Sequence, residues 1–180
     1  MKTLVVYSSL TGNTKQIAEA VAEVLPSCEL RSIEDAPFSL KDYGLVGVGF
    51  WAAKGQPDVK TREWLKGVSH ARLAFFGTLG AKPDSEHARD CMDKAESLAM
   101  EPARGNTVCG SWMCQGRIDP KIVDVMKKLN LDVHRDLLKN SARIEEAASH
   151  PDENDRHSAQ QFFHRILADI EHSPHEVPRV

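Results

Sequence analysis

No stretch of this 180-residue chain approaches the ~20 apolar residues of a membrane span. The apolar block at residues 4–7 is too short for the core of a signal peptide. Cysteine is sparse and lacks pattern: Cys28, Cys91, Cys109 and Cys114 show neither CxxC nor zinc spacing. That excludes a disulfide scaffold and a zinc ribbon, and fits free thiols in a reducing compartment. Neither sign of charge dominates. Residues 1–150 carry 20 acidic and 20 basic side chains, residues 151–180 carry 6 and 3, so the net charge of -3 sits in the C-terminal stretch. Nucleic-acid binding wants a strongly basic face, and none is apparent. A strongly acidic surface is missing too. The expectation is a cytoplasmic protein with neither membrane nor nucleic acid as partner. At this length a chain buries on the order of 70% of its unfolded surface and needs no metal or disulfide to complete a core.

Short apolar runs alternate with amphipathic stretches. Leu4-Val5-Val6-Tyr7 is β-branched and apolar, and stops at a polar, glycine-containing segment. Ile17, Val21, Val24 and Leu25 then recur at helical spacing until Pro26. Residues 28–33 read as a half-polar strand suited to a sheet edge. Residues 45–50 and 73–76 are apolar on both faces, as strands covered on both sides must be. Thr61, Trp64, Leu65 and Val68 mark a helix between them, and Asp84-Ser85-Glu86 caps another with an Ala88, Cys91, Met92, Ala95, Leu98, Ala99 stripe. Residues 106–112 make a fifth strand.

This alternation predicts an α/β fold: a doubly wound parallel five-stranded sheet of order 2-1-3-4-5, with some other doubly wound order as the alternative. Residues 1–172 form a single domain, 117–150 a helical insert after strand five, and 173–180 a frayed tail. Within the insert, 118–129 reads as a helix, 130–140 is ambiguous, and 141–149 is a short polar helix. A last helix presents Phe162, Phe163, Ile166, Leu167 and Ile170 to the sheet.

Chemistry concentrates at the first strand-to-helix junction. Ser9, Thr11, Asn13 and Thr14 place three hydroxyls and an amide around Gly12, where a helix start offers unpaired N–H groups and a positive dipole end. The lysine of a GK[ST] loop is missing, and so is the GxGxxG of a dinucleotide site. A phosphate monoester held by neutral donors is the natural ligand, with a simple helix cap as the bland alternative.

Ser9-Leu10-Thr11-Gly12-Asn13-Thr14 resembles the T/S-x-T-G-x-T signature of the flavodoxin family. The resemblance covers the α/β core to about Trp112 and the last helix, and implies FMN bound phosphate first. It also implies that the loops after strands three and four flank the flavin ring at the carboxyl ends of the strands. Cofactor-binding candidates there are Trp51, Ala52, Lys54 and Gly55, then Thr78, Leu79 and Gly80. Trp51 either stacks on the ring or closes the core at a strand end. Gly55 permits the backbone rearrangement with which the family bonds half-reduced flavin. Many flavodoxins stack a tyrosine from the loop after strand four; no aromatic occurs here, which leaves the outer face more open or covered by Trp112 or Met113. Gly49-Phe50-Trp51 with Lys54-Gly55, Phe76 to Gly80 with Ser85 and His87, and Cys114-Gln115-Gly116 further resemble a subgroup associated with bacterial bilirubin reduction.

These implications point to an FMN-binding electron-transfer protein that serves redox partner proteins, a reductase and a terminal acceptor enzyme, with a tetrapyrrole reductase as one acceptor. The alternative is an FMN-dependent NAD(P)H-linked reductase of a quinone or tetrapyrrole. No metal site is expected, because the histidines near the C-terminus lack i,i+4 pairing. Lys54, Lys82 and Arg117 stand against Asp58, Asp84 and Glu86 around the flavin loops, which predicts a potential for complete reduction less negative than an acidic surround would set.

Overall fold

Thr3–Tyr7 forms β1, the hub of a five-stranded parallel sheet in the computed structural model, which describes residues 1–119, 121, 124 and 141–172. β1 pairs with β2 (Cys28–Ser32) on one side and β3 (Leu45–Trp51) on the other; β4 (Arg72–Leu79) and β5 (Thr107–Gln115) follow. The order is β2-β1-β3-β4-β5, with every pairing parallel. The helices are α1 (Asn13–Val24), α2 (Val59–Leu65), α3 (Glu86–Ala99), α4 (Ser141–Ala148) and α5 (Glu153–His172).

Two apolar layers enclose the sheet, because successive strand side chains point to opposite faces. Leu4, Val6, Val48, Phe50 and Phe75 pack with Trp64 and Leu65 of α2 and Cys91, Met92 and Ala95 of α3. Val5, Leu45, Ala74 and Phe76 pack with Ile17 and Val21 of α1 and Phe162, Phe163 and Ile166 of α5. The ring of Phe163 meets that of Phe76 edge-on at 5.9 Å. The final helix therefore covers the sheet as its apolar stripe predicts. β2 is half-buried and polar, as an edge strand should be.

Several boundaries differ from the sequence reading. β4 runs on to Leu79 and β5 to Gln115, because the ladder between them continues through Leu79↔Gln115. Thr78 and Leu79 thus belong to the strand rather than to the loop, and Cys114 and Gln115 are strand residues as well. A bulge skips Cys109, so that Leu73 faces Val108 and Ala74 faces Gly110. Past it, Met113 packs in the α2–α3 layer and Trp112 in the α1–α5 layer. Both serve the layers of the sheet. Most of the helix expected over 118–129, the ambiguous stretch 130–140 and the tail 173–180 lie outside the described residues, whereas Ser141–Ala148 is helical as expected.

Candidate functional site

The carboxyl ends of β1, β3 and β4 come level. Tyr7 pairs with Gly49 and Trp51 with Thr78, and the Ser8 N–H donates to the Gly49 carbonyl at 2.9 Å. This register brings the residues 9–14, 51–57 and 78–80 to one edge.

α1 starts differently from its neighbours. Asp58 caps α2 by accepting from the N–H of Lys60 and Thr61, and Ser85 caps α3 by accepting from Ala88 N–H. The cap of α1 is Gly12, in left-handed backbone (φ 91°), with no side-chain cap bond and no acid in the first turn. Ser9 Oγ turns inward to accept the Gly12 N–H at 3.1 Å, and the helix begins with Gln16 N–H on the Gly12 carbonyl. The next N–H groups and the dipole end are left for an outside acceptor, the arrangement that binds an anion. A Cβ on Gly12 would meet nothing within 4 Å, so the approach is open.

Two further groups at this junction call for a ligand. Thr14 is fully buried, with its hydroxyl 2.9 Å from that of Thr78. Such a pair holds two hydroxyl protons and uses one between its members, leaving the other to donate outward. Asn13, 6% exposed, donates its amide to the Arg117 carbonyl at 2.8 Å, while its Oδ1 is buried without a partner. An acceptor in that position costs free energy until a donor arrives. A polyol phosphate supplies both needs: its phosphate accepts and its hydroxyls donate. The residues present fit the ribityl phosphate of FMN.

The loop after β3 is tightly wound. Ala52 N–H donates to the Thr78 carbonyl at 2.9 Å, Ala52 bridges Pro57, and Ala53 N–H donates to the Gln56 carbonyl at 2.8 Å. The two residues between, Lys54 and Gly55, both have positive φ (53° and 74°), the signature of a type I′ hairpin turn. Trp51 is half-buried at the strand end, Lys54 is exposed and Gly55 is buried. Across the edge, Ile118 lies against Gly80: a Cβ on Gly80 would fall 2.6 Å from Ile118 Cγ1. An aliphatic side chain from beyond β5 thus packs against this loop. The same segment is pinned by Gly116 N–H on the Leu79 carbonyl and Arg117 N–H on the His150 carbonyl, both at 2.8 Å.

Charges are distributed otherwise than the loop sequences suggest. Asp58 is 1% exposed, so it adds no open negative charge to this face. Its carboxylate accepts from Ser8 Oγ and Thr61 Oγ1, both at 2.8 Å. The Asp58 N–H donates to the Trp51 carbonyl at 3.1 Å, so the residue ties the β1 loop to the β3 loop. Lys82 lies 3.8 Å from Glu146. The Cys114 thiol, buried in β5, is pushed far up in pKa by desolvation and remains protonated at neutral pH. Ser85 serves the start of α3, as its position predicts. Sequence reasoning missed the knot formed by Ser8, Asp58 and Thr61. The only local signal was Asp58 placed three residues before Thr61 at a helix start.

A parallel sheet of this order, with an uncapped first helix level with the loops after β3 and β4, fits a mononucleotide-binding flavoprotein. The Flavodoxin domain family matches residues 4–164, and the chain belongs to that family. Among its relatives is the flavodoxin-like domain-containing protein BilS of Clostridioides difficile (strain CD3), 33% identical over 176 residues, covering 93% of this chain and 97% of that protein. BilS of Clostridium symbiosum (strain WAL-14163) is 26% identical over 91% of this chain and 94% of its own. The fold is that of oxidised flavodoxin 2 from Bacillus cereus (TM-score 0.62, 18% identity, 94% of this chain and 99% of that one). A flavodoxin of Fusobacterium nucleatum bound to flavin mononucleotide aligns over 67% of this chain and 80% of its own, with TM-score 0.50 and 12% identity. Among the described residues, no helix is long and apolar enough to cross a membrane.

Proposed function

We propose that this protein is an FMN-carrying electron shuttle of a reducing, cytoplasmic compartment, which accepts electrons from a reductase and delivers them to a terminal acceptor enzyme. FMN, when bound, supplies the redox chemistry by taking up and releasing electrons singly or in pairs. The observation that carries the reading is the start of α1: the one helix of the first three whose N-terminus has no side-chain cap bond, beside a buried and unpartnered Asn13 oxygen. In this reading the N–H groups of the first turn and the hydroxyls of Ser9, Thr11 and Thr14 hold the phosphate. Asn13 and the Thr14–Thr78 pair serve the ribityl chain. Trp51, Ala52, Lys54, Gly55, Leu79 and Gly80 border the ring.

The relation to BilS and the resemblance to the subgroup associated with bilirubin reduction support a tetrapyrrole reductase as the acceptor. A second reading, direct NAD(P)H-linked reduction of a quinone or tetrapyrrole, is favoured by one feature: the loop after β4 carries no aromatic to stack on the outer ring face. Titrating apoprotein with FMN while following flavin fluorescence tests the cofactor, and quenching at one equivalent is expected. Anaerobic mixing with NADPH and NADH then separates the two readings. A carrier is reduced rapidly only when a reductase is added; fast reduction by the nicotinamide alone would replace the first reading by the second.

A further inference from the structure

α2, α3 and the loop after β3 border a groove of about 820 Å³. Its two ends differ in character. At the loop end stand Gln56, Arg62 and Lys94. Arg62 Nε donates to the Pro57 carbonyl at 3.0 Å, and Lys94 Nζ to the Gly55 carbonyl at 2.6 Å. Leu98 lies one helical turn beyond Lys94 on the same face of α3, about 6 Å along its axis. Met100 and Pro102 continue the groove past the end of α3. Met100 is 50% exposed, so its apolar surface is stabilised by any cover.

The cations at the loop end are held but not neutralised. Among the described residues neither Arg62 nor Lys94 forms an ion pair with a carboxylate, whereas Lys60 and Lys66 nearby meet Glu34 and Glu63. Glu101, an acid that also lines the groove, is taken by Arg104 at 2.8 Å. Arg62 uses only its Nε, which leaves the two terminal nitrogens of a planar fork for a carboxylate. The Lys94 ammonium keeps two further N–H donors. Both head groups are already anchored to backbone. A ligand that pairs with them therefore freezes less side-chain motion than it would on unanchored surface cations.

We propose that this groove docks a redox partner, through an acidic segment that sets carboxylates on Arg62 and Lys94 and an aliphatic side chain on Leu98 and Met100. The proposal rests on the electron-shuttle reading and adds the charge and place of the contact. Complementarity selects an acidic partner, because a basic one would bring cation against cation. A small dicarboxylate would satisfy the two cations and leave Met100 and Pro102 bare; a chain segment reaches both ends. Gln56 belongs at once to the groove and to the ring loop, so a partner seated here lies beside the edge through which the flavin exchanges electrons.

The test follows amide NMR signals of isotope-labelled, FMN-loaded protein during titration with the end-capped peptide Asp-Glu-Leu-Asp-Glu-Leu. Signals of Gln56, Arg62, Lys94 and residues 97–100 should shift and saturate, and the peptide Lys-Lys-Leu-Lys-Lys-Leu should leave them in place. Arg62→Gln with Lys94→Gln should weaken binding about tenfold, as should raising the salt from about 0.05 M to about 0.5 M. Met100→Ser should weaken it about threefold. Lys60→Gln with Lys66→Gln, which removes two cations outside the groove, should leave it unchanged. Shifts scattered over the surface, or a groove double variant that binds like wild type, overturn the site. Adipate that binds as tightly as the acidic peptide makes the occupant a small dicarboxylate, and signals that move with the protein's own concentration make it a second copy; either overturns the partner proposal. A wild type that takes up no FMN overturns the shuttle reading and the redox role of the groove with it. An FMN-loaded protein that ignores the acidic peptide overturns only the groove.

Discussion

Replacing Asp58 by alanine removes a carboxylate that is 1% exposed and accepts four hydrogen bonds, from Ser8 Oγ, Lys60 N, Thr61 N and Thr61 Oγ1. Loss of a helix cap costs about 1 kcal/mol. Each of the two hydroxyls left without its acceptor in a buried setting adds about 1 kcal/mol. The total is about 3 kcal/mol, a large share of the ~5–15 kcal/mol that holds a domain folded. Asn at this position keeps one acceptor oxygen and should lose about half as much. In urea, with a slope of about 2 kcal/mol per molar, the alanine midpoint should fall by about 1.5 M. Affinity for FMN should fall as well, since Ser8 leads into the phosphate loop and Trp51 into the ring loop. A urea midpoint within about 0.3 M of wild type, with the slope unchanged, would refute the claim that this carboxylate organises both loops.

Three other perturbations probe separate parts of the site. The Asp155 carboxylate, 2.5 Å from His150 Nδ1, holds the imidazolium and raises its pKa above the ordinary 6.5. A folded value above the unfolded one stabilises the protein fully below the unfolded pKa and less as pH climbs through the folded one. Urea midpoints should therefore drop as pH is raised from about 6 to about 8.5, and His150→Gln should flatten that slope. Gly116→Ala would set a methyl 2.7 Å from Asn13 Nδ2. The Asn13–Arg117 bond must give way, and FMN affinity by fluorescence titration should fall about tenfold, the equivalent of ~1.4 kcal/mol. Lys54→Gln removes an exposed cation from the turn after β3. A charge roughly 7 Å from the ring at an effective dielectric of ~20 is worth about 100 mV before screening. The midpoint for complete reduction should drop by about 20–60 mV once solvent and salt are counted; an unchanged value would remove Lys54 from the electrostatics of the site.

The alternation of strand and helix, two-sided burial of β3 and β4, and the amphipathic last helix were legible in the chain because each rests on short-range periodicity. The apolar doublets around Val48 and Phe75 have no polar face to show solvent, so helices must cover both sides. The hydroxyl-rich junction was legible for the same local reason, a glycine between polar donors at a helix start. Strand ends were less so. The extension of β4 and β5 to Leu79 and Gln115 depends on their ladder after a one-residue bulge, and neither sequence carries that count by itself.

What residue order alone determined is the alternation of strand and helix, and with it the hydroxyl-rich strand-to-helix junction, since period and turn chemistry act within a few residues. Partnership across the fold came only with tertiary structure. Ser8 and Asp58 are 50 residues apart, Lys94 and Gly55 are 39 apart, and Asn13 and Arg117 are 104 apart. Whether an aspartate faces solvent or caps a buried helix, and whether a lysine hangs free or grips a carbonyl, depends on which surfaces the sheet brings together. Hydrogen bonds reach about 3 Å in space, and no spacing along the chain encodes that distance.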